Sequence, residues 1–283
     1  MVTLAFTGAS AMTRLTSEDI EGVMDRIIQH DAELKKIIGA SMVEVAKLAT
    51  GYEGDLSAAF HGYRAKAVSI TSGKGVIGGF AQTVSSILNH IGLKTNVSNK
   101  PDMGGFAESI KDCCSIVFAA DDEFFTGFNF KTSIYSYNFD ATGRAYSAAL
   151  EIKCNGLMGK EVALIGAGRV GSAATEYLCN KGAKVYAYDP VVEKVQRLER
   201  RSGGAVVRCD SVEGCLSKAK LVLLAAPGRN FIPARLVGDD TIFSAPAIPL
   251  GFTRSAFAKL PKCNLIHDPL ELGTATMAAE LMK

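Results

Sequence analysis

Apolar residues recur at Ile20, Val23, Ile27 and Ile28, the spacing of one helical face, after Thr16 with Asp19 three residues on. That arrangement predicts a capped N-terminal helix starting at Thr16. Residues 42–48 read as a second helical stretch, ended by the glycines at 51 and 54. From there the pattern changes to alternation. Residues 66–70 form a short apolar run, followed by a Gly-rich turn and an amphipathic helix over about 76–91. A strand at 94–97, a turn at 101–105, a helix to Cys113 and a strand at 115–120 repeat the motif. Three strands alternating with helices predict parallel βαβ units.

Residues 141–154 read as a long helix bridging to a second alternating series. There a strand at 161–165, a helix at 170–180, a strand at 184–188 and a helix at 191–201 precede strands near 206, 221–225, 241–244 and 264–266. A last short helix is expected at 276–282. The fold class predicted is α/β with two domains: a smaller N-terminal parallel-sheet domain with a leading helix, residues 12–140, and a C-terminal Rossmann doubly wound parallel sheet, residues 141–283.

The spacing G-x-G-x-x-G occurs twice, as Gly73, Gly75, Gly78 and as Gly166, Gly168, Gly171. Only the second is followed by a strand ending in an acid, Asp189, where a ribose hydroxyl pair is read. In the first, the corresponding strand ends in Val97, Ser98 and Asn99. The second copy is therefore the dinucleotide site: Gly166 for the tight turn, Gly168 for approach of the pyrophosphate, Gly171 for close packing of helix on sheet. A carboxylate at Asp189 repels a 2′-phosphate, so NAD is expected over NADP. Arg169 and Val170 lie in the same turn, with Arg169 covering either adenine or solvent. The first copy is either an anion site, through Ser72 and Gly73, or a plain helix start capped by Ser72.

Asp121 and Asp122 follow a predicted buried strand, at the sheet end where α/β folds bind ligands. Asp122 is the first choice for holding a cationic amine and Asp121 the second, with a turn-capping role as the alternative for either. Asp102 reads as a turn former. Three loops after later strands carry Ala226 and Pro227, Pro246 and Ala247, and Gly273, all candidates to border the nicotinamide.

Composition narrows the classes. The 283 residues are 48% hydrophobic, enough for two modest cores, and 31 Lys plus Arg against 29 Asp plus Glu leave a net charge of +2. No basic stripe suggests nucleic acid, no apolar run approaches a membrane span, and residues 1–11 lack a secretory pattern, so a cytoplasmic enzyme is expected. Seven cysteines without C-x-x-C spacing and four scattered histidines give no disulfide framework and no metal site; most cysteines are expected to be buried.

The segments Thr71 to Gly78, Lys100 to Gly104, Ala120 to Asp122, Pro246 to Pro249 and Pro269 to Met277, in this order, resemble the PylD family of pyrrolysine-forming dehydrogenases. The resemblance runs from about Met12 onward and leaves residues 1–11 as an extension. It implies NAD-dependent oxidation of the terminal amine of 3-methyl-D-ornithyl-N6-lysine, then loss of ammonia and ring closure. It also implies that Asp122 is the active-site aspartate and that Leu15 lies on an N-terminal helix covering the substrate. An amino-acid or opine-type dehydrogenase and a non-enzymatic NAD sensor stay as alternatives, and a homo-oligomer stays open.

Overall fold

The computed structural model describes residues 15–283, so the expectations for residues 1–11 and for a start at Met12 lie outside the described residues. Near the N-terminus the Thr16 amide donates to Asp19 Oδ2 at 2.7 Å and the Asp19 amide returns a bond to Thr16 Oγ1 at 3.3 Å. This pair closes a run of turns rather than the helix itself, because Gly22 is left-handed with φ of 71° and helix α1 begins only at Val23 (Val23–Ile38). Helix α2 (Met42–Thr50) starts with a reciprocal capping box between Ser41 and Glu44, and the short α3 (Leu56–Phe60) is capped by Asp55.

The first sheet is built from β1 (Ala65–Ser69), α4 (Phe80–His90), β2 (Thr95–Val97), α5 (Asp102–Lys111) and β3 (Ile116–Ala120), and then β4 (Phe125–Asn129) and β5 (Ile134–Tyr137). Its order is β2-β1-β3-β4-β5. The expected parallel core β2-β1-β3 is present, and the hairpin β4–β5 extends it antiparallel. Two element starts differ from expectation. Helix α4 starts at Phe80 instead of 76, because Gly73, Gly75 and Gly79 all have positive φ. Helix α5 starts at Asp102, inside the predicted turn, where both Asp102 carboxylate oxygens hold Thr71.

Helix α6 (Asn138–Lys153) leads into β6 (Glu161–Ile165), α7 (Arg169–Asn180), β7 (Lys184–Tyr188), α8 (Val192–Arg201), β8 (Val206–Arg208), α9 (Val212–Leu216) and β9 (Leu221–Leu224). After β10 (Gly228–Ile232) come β11 (Ile242–Ser244), β12 (Leu250–Phe252), α10 (Arg254–Lys259), β13 (Leu265–Ile266) and α11 (Glu271–Glu280). The second sheet runs β13-β11-β9-β6-β7-β8, all parallel, with the order reversing between β6 and β9. That is a doubly wound sheet, whose ligand crevice opens at the reversal. Among the described residues no helix is long and apolar enough to cross a membrane. All seven cysteines are free, but only Cys114 and Cys215 are buried, fewer than expected.

Helix α6 joins the two sheets. Its Gly143 faces α7 so closely that a Cβ there would stand 2.5 Å from the Val170 carbonyl oxygen and 2.8 Å from Ala173 Cβ. The last helix, α11, begins five residues earlier than expected and is buried on every side from Glu271 to Ala279. It packs on α2, α4 and α6 and so completes the core of the first sheet, not of the second. Asn129 Nδ2 donates to the Leu281 carbonyl and Arg144 pairs with Glu280, fastening its end.

Gly143→Val would force α6 from α7. Overpacking of this kind costs about 1–3 kcal/mol, so the urea midpoint should fall with little change in slope. An unchanged midpoint would show that the two helices are not in contact there.

Candidate active site

A cavity of about 140 Å³ lies between the two sheets, at the carboxyl ends of β3, β9, β11 and β13. Its wall on the second sheet includes Val170, Pro227, Pro246 and Ala247, and Gly273 of α11 also borders it; Ala226 is buried and does not line it. Its wall on the first sheet includes Leu15, Asp121 and Asp122. Ser72 and Gly73 are exposed and do not line it. Nor does Ser72 cap the helix, which starts at Phe80 with Gly79 as its N-cap and no side-chain cap bond. Gly73 instead makes room for Asp122, whose Oδ2 would lie 2.2 Å from a Cβ at that position and accepts the Lys74 amide at 2.5 Å.

The two acids of the strand end are differently engaged. Asp121 Oδ1 accepts both the Glu123 and the Phe124 amides at 2.8 Å, the pattern of a side chain that shapes a turn. Asp122 bridges from that turn to the glycine loop after β1.

The dinucleotide turn fits its group residue by residue. At Gly166, φ is 101° and a Cβ would stand 2.6 Å from the Ala226 nitrogen. At Gly171 a Cβ would meet the Gly166 carbonyl oxygen at 1.9 Å, whereas at Gly168 nothing lies within 4 Å. Two glycines thus permit contact within the protein, and the third leaves open space at the start of α7, where backbone N–H groups point outward. Asp189, just after β7, accepts the Ala167 amide with Oδ2 and the Val191 amide with Oδ1, both at 2.9 Å, which holds its carboxylate against the turn. Arg169 turns toward the first sheet: its guanidinium lies 4.9 Å from the Phe124 ring and 5.0 Å from the Phe139 ring.

A buried polar cluster that the sequence reading did not single out sits at the far end of the cavity. Asp268 lines the cavity and is 4% exposed. The Tyr146 hydroxyl donates to its carbonyl at 2.7 Å and accepts its amide at 2.8 Å, while Asp268 Oδ1 accepts the Leu272 amide at 3.2 Å. Glu271, at the start of α11, faces His30 Nδ1 of α1 at 3.3 Å. Burial, reinforced by the Glu271 charge, pushes the Asp268 carboxyl up to about 7. Burial alone would lower the His30 imidazolium, but the Glu271 and Asp268 carboxylates overcome it and raise it to about 9. The signal was available: Asp268 stands two residues after the last strand, the same rule that singled out Asp122.

Residues 16–136 match the family model described as the N-terminal domain of the pyrrolysine biosynthesis protein PylD. Pyrrolysine synthase from Methanosarcina acetivorans is 26% identical over 273 residues, 96% of this chain and 100% of the relative. The one from Methanosarcina barkeri is 27% identical over 95% of this chain and 98% of the relative. The chain is thus similar to the pyrrolysine synthases along almost its whole length. Residues 130–232 match the NAD binding domain of D-isomer specific 2-hydroxyacid dehydrogenases, so the chain is a dehydrogenase that uses NAD. A solved quinate dehydrogenase from Corynebacterium glutamicum in complex with NAD shares the fold, with a TM-score of 0.51, 14% identity, and coverage of 78% of this chain and 93% of that one.

Two outcomes follow for the site and the cluster beside it. NAD should bind at least roughly tenfold tighter than NADP, about 1.4 kcal/mol, with Asp189→Ser narrowing the gap; equal affinities by calorimetry would contradict the assignment of Asp189. The second concerns pH. His30 is raised from 6.5 to about 9, so its contribution to stability is complete below pH 6.5 and is lost as pH rises through 9. Asp268, raised from 3.8 to about 7, weakens the fold as pH climbs between those values, which is a separate window. Urea midpoints should therefore decline between pH 6.5 and 9, and His30→Gln should flatten that decline. A slope that survives the substitution would assign it elsewhere.

Proposed function

We propose that this protein carries out the dehydrogenation that forms pyrrolysine: NAD-dependent oxidation of the terminal amine of 3-methyl-D-ornithyl-N6-lysine, followed by loss of ammonia and ring closure. One observation carries the reading. Among the described residues the cavity is lined by three carboxylates, Asp121, Asp122 and Asp268, and by no Lys, Arg or His. An anionic cavity favours a cationic amine and disfavours a hydroxy acid, whose carboxylate calls for a basic partner. The similarity to the synthases along almost the whole chain supports the same reading.

In this reading residues 12–140 bind the substrate and residues 141–283 bind NAD. Bound at the Gly166 to Gly171 turn, NAD supplies a hydride acceptor. The protein's share is to hold the amine-bearing carbon beside it, to exclude water and to manage the amine proton. Leu15, Ile77, Phe80 and Phe125 are among the apolar residues of the wall, suited to the carbon chain between the two nitrogens. Asp122, anchored by the Lys74 amide, orients the amine that reacts. The imine so formed is electrophilic, and the α-amine of the same molecule attacks it to close the ring and expel ammonia. Proximity within the enclosed cavity supplies that step without a further protein nucleophile.

Mass spectrometry of the product from the methylornithyl-lysine conjugate and NAD tests the reaction: pyrrolysine and NADH are expected in equal amounts. NADH formation from a simple amino acid but not from the conjugate would replace it with an amino-acid dehydrogenase. For the residues, Asp122→Asn should lower kcat/KM by about 10²-fold or more with NAD affinity unchanged, in the range of a lost acid–base group. Asp121→Asn should cost less, since a side-chain amide oxygen still accepts the two turn amides. Near-normal turnover in Asp122→Asn would remove that residue from the site.

A further inference from the structure

Asp268 is unusual among the buried acids. Its Oδ1 is used by the Leu272 amide, but its Oδ2 meets no donor, although the residue lines the cavity and is almost wholly buried. A carboxylate oxygen left without a partner costs free energy, and such groups are retained where a ligand completes them. The Tyr146 hydroxyl holds the Asp268 backbone at both its amide and its carbonyl, and the Leu272 amide holds the side chain at Oδ1. Asp122, by contrast, already accepts a backbone amide. The two acids follow strands of different sheets, β3 and β13, and border one cavity.

We propose that Asp268 is the proton acceptor for the reacting amine, with Asp122 orienting that amine from the other wall; this rests on the amine-oxidising function proposed above. An ammonium group cannot release hydride from its adjacent carbon, because the nitrogen has no lone pair to stabilise the cation left behind. In the proposed step an N–H bond of the ammonium breaks and its proton passes to Asp268 Oδ2. The freed lone pair then forms the C=N bond as the carbon gives its hydride to the nicotinamide ring. The products are an iminium ion, reduced nicotinamide and a protonated Asp268.

The groups around Asp268 suit the task. Glu271 and His30 stand beside it, Tyr146 holds its backbone, His267 precedes it with Nδ1 2.7 Å from the Ala245 carbonyl, and Asp121 and Asp122 face the same cavity. Burial and the Glu271 charge raise the Asp268 carboxyl into the neutral range, so it can both take a proton and return it. The His30 imidazolium counters that rise. His30 is therefore a positioning residue that sets the pH at which Asp268 is ready.

The experiment measures kcat/KM for the methylornithyl-lysine conjugate from pH 6 to 10 in the wild type, Asp268→Asn and His30→Gln, with NAD affinity checked in each. The wild type should lose activity on the acid side near pH 7. Asp268→Asn should be slower by about 10²-fold at pH 7, and the deficit should shrink toward pH 10, where free amine needs no acceptor. His30→Gln should move the acid limb to higher pH, because it removes a cation that favours the carboxylate. A deficit in Asp268→Asn that is the same at every pH, or an acid limb that stays in place in His30→Gln, would overturn the proposal. If Asp268→Asn fails to bind NAD, the His30→Gln limb alone decides. If the wild type yields no NADH from the conjugate, the proposed function fails, and Asp268 is then judged by calorimetry of ornithine binding to the NADH-loaded protein. Binding lost in Asp268→Asn supports its contact with amines; binding unchanged, or absent in the wild type, overturns it.

Discussion

The close approach of α6 to α7 at Gly143 fixes the distance between the two sheets. Helix α7 begins at the dinucleotide turn, and α6 begins directly after β5 of the first sheet. Because backbone meets backbone there, the position of the turn relative to the first sheet is set by contact with little slack. The cavity inherits its width from that contact. Arg169 lies over both the Phe124 and Phe139 rings, so the residue that opens α7 also ties it to the turn that carries Asp121 and Asp122. One helix pair thus aligns the carboxylates of one sheet with the glycine turn of the other.

Given that alignment, the chemistry is a matter of where negative charge is tolerated. Three acids share a small cavity, and each is held differently: Asp121 by turn amides, Asp122 by the glycine loop, Asp268 by the two backbone bonds to Tyr146. Like charges in a dry enclosure repel, so such a cavity is most stable when one acid carries a proton or a cation lies among them. The raised Asp268 carboxyl is the first solution, and a bound ammonium would be the second.

The second sheet was legible almost strand for strand, since each strand is a continuous apolar run bounded by Gly, Pro or charge. The strands expected at 161–165 and 184–188 are Glu161–Ile165 and Lys184–Tyr188. The hairpin β4–β5 was missed although Phe125, Phe128, Ile134, Tyr135 and Tyr137 are strand formers, because polar and glycine residues interrupt both runs. The last helix was expected at 276–282 but not its start at Glu271, because α11 has no polar face to mark its sides. At the site, local spacing sufficed for Gly166, Gly168, Gly171 and Asp189. The His30, Tyr146, Asp268 and Glu271 cluster draws on α1, α6 and the segment entering α11, so it exists only once distant segments are packed together.

The placement of α11 also bears on how the chain can be made. Residues 271–279 fill the interior of a unit whose other elements all lie before residue 154. During synthesis the first sheet emerges early but has no complete interior until residues 271–279 follow the second sheet, so its native state waits for that entire sheet. The two units therefore mature together. A chain broken off at residue 270 would have all six strands of the nucleotide sheet but a hole at the centre of its first unit.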